Sequence, residues 1–328
     1  MTKQITIIGL GQIGASVGLA LGQYKSSIKR VGHDKKPDVA RSAQTKDAVD
    51  EINFNLPSSV RNADLVLLAV PFSELEETLR LIGQDLKEDA VVMDTAPVKS
   101  RVAEWADQYI PRGCSYVGLV PSIGPDHLLD IGAGQAAARA DLFHEAVFLV
   151  CPLRTATEPG VKRATDLLEL LGATPLFSDP LEADGFMAAL HTLPQLLAIT
   201  LLDATTKQPG WKEARKMAGR PYGLSTASAL YLDEAEAITE AVRANRANVI
   251  RVLDNAIHSL TDLRAALDED DLKSAEGLVD DAYFSGIQWL KERLGADWFT
   301  EDRKPIEIPT MSERLFGTWM KPERKDKK

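Results

Sequence analysis

The chain has 328 residues, 45% of them hydrophobic, with a formal net charge of −10 at pH 7. That length suits two domains with ordinary cores, and the acidic balance excludes nucleic acid as a main partner, because phosphate binding needs a basic surface. Two cysteines, Cys114 and Cys151, are too few for a disulfide framework and lack metal-ligand spacing; with no apolar stretch of roughly 18 residues and no leader before the first strand signal, a cytoplasmic chain without a membrane partner is expected.

In chain order, the apolar run Ile5-Thr6-Ile7-Ile8 reads as a first strand. It leads straight into Gly9-Leu10-Gly11-Gln12-Ile13-Gly14, and a helical pattern covers residues 15–21. In that context the spacing predicts the first strand–turn–helix of a dinucleotide-binding fold. Gly9 makes the tight turn, Gly11 admits a pyrophosphate and Gly14 packs helix on strand, with Gln12 and Ile13 in the same loop. The phosphates then lie at the positive end of the helix. A second strand around Val31 ends at His33-Asp34, and the continuous apolar run 65–70 reads as a buried parallel strand. Residues 91–93, 116–119 and 147–151 continue the series, and 174–177 forms a last edge strand. Helical patterns at 73–82 and 99–109 lie between them. The alternation predicts an α/β, Rossmann-type doubly wound sheet over residues 1–180, with its ligand at the C-terminal ends of the strands.

The composition changes near Asp179-Pro180, and helical periodicity dominates from Glu182 to Leu294. Residues 181–300 are therefore expected to form an all-α helical domain. Its most apolar helix covers 190–202 and is interrupted by Pro194, while Leu253, Ile257, Leu260, Leu263 and Leu267 recur at helical spacing. A mostly apolar helix must be covered, by its own domain or by a second subunit, and this predicts a homodimer through the helical domain. Residues 301–328 read as a tail, in which 311–320 docks as a short amphipathic piece and Lys321 to Lys328 is solvated.

Several residues carry candidate chemistry. Asp34, at the end of the second strand, is placed to accept hydrogen bonds from ribose hydroxyls and to repel a 2′-phosphate, which favours NAD. Lys35 and Lys36 come directly after it and keep NADP open. Val70 and Pro71 end a buried strand over the cofactor. Asp94 and Thr95 end the next, on the nicotinamide side. Lys99 either serves the cleft, by binding a substrate anion or hydrogen-bonding near the nicotinamide, or starts a helix in solvent. His127 comes after Gly124-Pro125-Asp126 in a loop, and His191 sits in the apolar helix just before Pro194, where the second domain begins. No nucleophile–base pair or metal cluster stands out.

The chain resembles the prephenate/arogenate dehydrogenase family over roughly residues 3–300. The resemblance rests on Gly9-Leu10-Gly11-Gln12-Ile13-Gly14-Ala15-Ser16, on Ala63-Asp64-Leu65-Val66-Leu67-Leu68-Ala69-Val70-Pro71 and on Asp94-Thr95-Ala96-Pro97-Val98-Lys99. Asp141-Leu142-Phe143 and Leu190-His191-Thr192-Leu193-Pro194 extend it. It implies oxidation of a ring hydroxyl by NAD(P) with loss of the ring carboxylate as CO₂. It also implies a histidine that draws off the hydroxyl proton, a supporting serine and a carboxylate-binding arginine. Here the histidine aligns with Val120, the serine with Pro97, the arginine loosely with Ala227, and a second histidine with Gln195. What survives is the cofactor half, His191 and Lys99, with Arg220 as a substitute carboxylate contact and His127 or His191 as a substitute base. The resemblance thus implies an NAD(P)-dependent dehydrogenase, acting on prephenate, arogenate or a different small substrate. A ketone or imine reductase of the same fold and a non-catalytic dinucleotide sensor are the alternatives.

Overall fold

The computed structural model describes residues 3–130, 132–230 and 235–295. The first apolar run forms β1 (Lys3–Ile8), whose last four residues are buried, and the glycine loop leads into α1 (Gln12–Ala20). Next in the chain are β2 (Ile28–His33), α2 (Pro37–Thr45), a two-residue β3 (Glu51–Ile52) and α3 (Leu56–Val60). Proline stands in the first turn of α2 and of α3, where its missing N–H costs nothing. Then come β4 (Leu65–Leu68), α4 (Phe72–Ile82), β5 (Val91–Asp94), α5 (Lys99–Tyr109) and β6 (Ser115–Pro121). The sheet region closes with β7 (Val147–Pro152), α6 (Glu158–Leu170) and β8 (Thr174–Phe177).

The eight strands lie in the order β3-β2-β1-β4-β5-β6-β7-β8. All neighbours are parallel except β6 and β7, which pair antiparallel. Alternate residues of the central strands feed two cores, as the two-residue period of a strand requires. Ile7, Leu67 and Met93 lie in one, Ile8, Leu68 and Val92 in the other. Burial on both faces explains why β4 and β5 read as unbroken apolar runs. The strand order reverses between β1 and β4, and that switch point opens a crevice at their C-terminal ends.

Sheet gives way to helix at Asp179, whose carboxylate caps α7 (Pro180–Met187) by accepting from the Leu181 and Glu182 amides. Pro194 does not interrupt the helical path beyond α7. A π-helical turn, Ala188–Thr192, joins α7 to α8 (Leu193–Thr206), and the Leu193 N–H donates five residues back to the Ala188 carbonyl. The extra residue in this turn absorbs the proline's missing donor, so the expected break is a bulge instead. The continuous run Pro180–Thr206 is long and apolar enough to cross a membrane by length and composition, which corrects the expectation that no stretch reaches that length. Its side chains serve the fold: Asp184 is tied to α5 and His191 lines the cleft. Beyond it lie α9 (Trp211–Ala214), α10 (Arg220–Leu230), α11 (Ala235–Ala244) and α12 (Arg246–Asp268). A small core of Ala188, Val249 and Val252 joins this region, while Leu190, Leu197, Ile257 and Leu260 remain exposed.

Residues 1–270 form one compact unit and 271–328 a second, so the sheet-to-helix change near residue 180 lies inside a unit that continues to Asp270. In the second unit the described part is the helix α13 (Leu272–Gly295). The tail at 301–328, with the expected docking piece at 311–320, lies outside the described residues.

Candidate active site

Each glycine of the loop has a separate physical cause. Gly9 takes φ +89°, and a Cβ there would stand 2.3 Å from the Ala69 carbonyl oxygen. A Cβ on Gly14 would stand 1.9 Å from the Gly9 carbonyl oxygen, so this glycine lets α1 pack onto the loop. A Cβ on Gly11 would meet nothing within 4 Å. Gly11 borders a cleft of about 620 Å³, and its missing side chain leaves room for a ligand. Gly11 also opens α1 with no side-chain cap and no acid in the first turn, leaving the N–H groups of the helix start available to an anion.

One end of the cleft is built at the end of β2. His33, Asp34, Lys35 and Lys36 all line it. Asp34 accepts from the Leu10 amide at 2.9 Å and from the Lys36 amide at 2.8 Å, which fixes its carboxylate against the glycine loop. Each oxygen keeps acceptor capacity for a hydroxyl donor. Lys35 pairs with Glu74 of α4, another lining residue. Val70, Pro71 and Thr95 line the cleft as expected, with Gln12 and Ile13 from the glycine loop.

Helices build the opposite wall. The π-helical turn presents His191 and Thr192 to the cleft, and Gln195 lies one turn on, with its amide nitrogen 3.2 Å from His191 Nε2. Ala237, Ile238 and Ala241 of α11 complete this wall. Thr95, Ala96 and Pro97 lie on the sheet side of the same cleft. A turn with an i→i+5 bond changes which side chains face inward, and such turns concentrate at functional sites.

Beneath the cleft lies a buried polar network, and it corrects two sequence expectations. Asp94 and Lys99 are among neither the cleft-lining nor the exposed residues: they are 0% and 1% exposed. Lys99 Nζ lies 2.6 Å from Asp94 Oδ1, while Tyr116 donates its hydroxyl proton to Asp94 Oδ2 at 2.5 Å. The Lys99 stem crosses β6 at Gly118, where a Cβ would stand only 2.9 Å from its Cδ. Lys99 is buried and paired with Asp94, so it is not a solvated helix-start lysine, and it is not among the residues that line the cleft. Burial, then Asp94, pushes the Tyr116 phenol well above its ordinary value. Burial also pushes the nearby Cys151 thiol up to about 11.

Asp184, which carries no signal in the sequence, ties the helical wall to this network. Its Oδ1 accepts from the Lys99 amide at 2.5 Å, and its carboxylate also accepts from the Ser100 hydroxyl. It thus caps α5 from another helix. Asn245 donates to the Asp184 backbone oxygen at 2.7 Å. Burial raises the Asp184 carboxyl above its ordinary 3.8, against the pull of the Ser100 and Lys99 hydrogen bonds. An acid with a raised folded pKa contributes stability that is full below the unfolded pKa and declines as pH rises through the folded one. Asp184→Asn is therefore expected to remove a decline in unfolding free energy on going from about pH 4 toward neutrality, relative to wild type. Urea titrations across that range check it; identical slopes would refute the assignment.

Two further sequence candidates fall outside the cleft. His127 is held within its own loop by Nδ1, 3.0 Å from Asp130, while its Nε2, 3.1 Å from Asp141, makes no hydrogen bond. Arg220 starts α10 in solvent, away from the lining residues. Val120 is 5% exposed and paired with Leu149 within the sheet, off the cleft. Among the described residues no group of His, Cys, Asp or Glu is placed to hold a metal ion.

Residues 17–176 match the family described as prephenate dehydrogenase, nucleotide-binding domain. The glycine loop precedes this match, so its role rests on its own geometry. The chain is 26% identical over 209 residues to a prephenate dehydrogenase of Bacillus subtilis, covering 62% of this chain and 54% of that protein. It is 25% identical over 272 residues to a cyclohexadienyl dehydrogenase of Zymomonas mobilis, covering 82% and 90% respectively. The chain spans about half the length of the first curated relatives it matches. Its fold is that of a solved prephenate dehydrogenase from A. aeolicus in complex with hydroxyphenyl propionate and NAD+, with TM-score 0.76 at 18% identity over 88% of this chain and 98% of that one. A Synechocystis arogenate dehydrogenase superposes with TM-score 0.67 at 21% identity over 87% and 99%. The Rossmann-type sheet, the cleft at its switch point and the match over residues 17–176 identify this part of the chain as similar to the nucleotide-binding domain of prephenate dehydrogenases.

Proposed function

We propose that the chain is an NAD-dependent dehydrogenase of the prephenate or arogenate type, with a substrate end rebuilt around His191. The observation that carries this reading is one cleft with the glycine loop and Asp34 on the sheet side and His191 on the helical wall. NAD is favoured over NADP because Asp34 borders the cleft and Lys35 is already paired with Glu74. When bound, the nicotinamide supplies the hydride acceptor. The chain's own residues then seat the phosphates at α1, hold the ribose at Asp34 and take the hydroxyl proton at His191. A proton acceptor at residue 191 compensates for the valine at residue 120, which accepts none. Purified protein given NAD or NADP with prephenate or arogenate should develop reduced-nicotinamide absorbance, faster with NAD. No turnover on either substrate, with NAD binding intact by calorimetry, would mean that the substrate has changed, that the enzyme works in the reductive direction or that the protein only senses the dinucleotide.

The exposed apolar side chains Leu190, Leu197, Ile257 and Leu260 support a homodimer through the helical region. Two free, buried cysteines suit a cytoplasmic setting. A monomer by sedimentation at micromolar concentration would rule the dimer out.

A further inference from the structure

The loop between β6 and β7 holds His127, a candidate base by its sequence setting that lies outside the cleft-lining residues. Its base is closed by the Gly124 amide, which donates to the Leu142 carbonyl at 2.7 Å. His127 Nδ1 meets Asp130 at 3.0 Å within the loop, and Arg139 adds a contact to Asp130 at 3.4 Å. From this base the loop reaches across to the glycine loop. The Gln12 side-chain amide donates to the Ala137 carbonyl at 3.4 Å, and the Arg139 amide donates to Ser16 Oγ at 3.0 Å, so the segment docks along α1. At the tip, Gln135 Nε2 donates to the Leu10 carbonyl at 3.2 Å and to the Val39 carbonyl at 2.8 Å. The first partner belongs to the glycine loop and the second to the first turn of α2, just past Asp34.

We propose that this loop is a strap over the adenosine half of the bound dinucleotide, with Gln135 as the binding residue that latches it; the strap rests on the dinucleotide reading of the cleft. Gly132, Ala133, Gly134 and Gln135 line the cleft together with Asp34 and Val39, so the strap forms a wall at the ribose end. Three small residues beside Gln135 let that wall approach a ligand closely. Both partners of Gln135 are carbonyl oxygens, so its amide nitrogen faces them and both its hydrogens are used. Its amide oxygen is left as an acceptor for a donor on the adenosine. A wall latched before the ligand arrives also lowers the ordering cost of binding. His127 is a brace of the strap, which accounts for its place outside the cleft.

Calorimetry with NAD and with ADP-ribose tests the strap, because ADP-ribose carries the adenosine half without the nicotinamide. Gln135→Ala is expected to raise Kd for both probes by the same factor, about fivefold or more. Hydrogen exchange on the unaltered protein gives a second measure: ADP-ribose should slow the amides of residues 132–139 as well as those of the glycine loop. Gly11→Val, which fills the cleft, should abolish both effects. Equal affinities for wild type and Gln135→Ala, or protection of the glycine loop without residues 132–139, would overturn the strap. If the unaltered protein bound neither probe, the dinucleotide reading itself would fall.

Discussion

Lys99→Met should cost about 3–5 kcal/mol of unfolding free energy, the usual loss when one partner of a buried ion pair is removed. Methionine preserves the stem that crosses Gly118 but leaves the Asp94 carboxylate without its cation. The Ala96 amide and the Tyr116 hydroxyl still donate to Asp94, yet neither carries a compensating charge. The double variant Asp94→Asn with Lys99→Met removes both charges, and it should recover most of the loss because a buried pair is often nearly neutral against uncharged replacements of similar volume. Urea denaturation of wild type, single and double variants measures the three values. A single variant as stable as wild type would show that the pair does not hold the sheet to α5. If Lys99 served the cleft directly, turnover would fall while stability stayed unchanged. Its depth beneath Thr95 and Pro97 predicts the reverse order of effects.

His191→Ala should lower turnover by about 10²–10⁴-fold, the usual contribution of a positioned proton acceptor, while NAD affinity stays within about twofold of wild type. The titratable side chains of the cleft stand in two places. His33, Asp34, Lys35 and Lys36 gather at the end of β2, and Glu74 joins them through Lys35. His191 stands on the helical wall, with Gln195 beside it. In the proposed reading a base there would meet the substrate, whereas the β2 groups would meet the ribose. The pH profile separates a chemical role from a packing one. Loss of a base removes the acidic limb of the turnover curve, and His191→Gln should not restore it. Undiminished turnover in the alanine variant would return the question to residues now assigned elsewhere.

How far the sequence carried these conclusions depended on the range of the interactions. The glycine loop was legible because its causes lie within one strand–turn–helix unit. The buried strands were legible because two-faced burial writes unbroken apolar runs. The two-residue β3 is too short for any periodicity to register. Lys99 was misjudged because its burial depends on Gly118, on another strand, leaving room for its stem. Asp184 was missed because the helix start it caps lies 85 residues away in the chain. His127 resembled a cleft residue by its loop setting, and only the fold reveals that it lies outside the lining and bonds Asp130 of the same loop. Proline in an apolar helix predicts a break, but it does not reveal that one additional residue in the turn can replace the break.

That additional residue has a geometric consequence for the whole helical wall. In an α-helix each residue advances about 100° around the axis, so a one-residue insertion rotates everything after it by that angle. Residues before Ala188, including Asp184, keep the phase that grips α5. His191, Thr192 and Gln195 take their bearings in or after the turn, and they face the cleft. The helix therefore has two angular registers, one set for anchorage and one for the ligand. Removing a single residue from the turn would merge them, and the anchor and the cleft could then no longer be faced together.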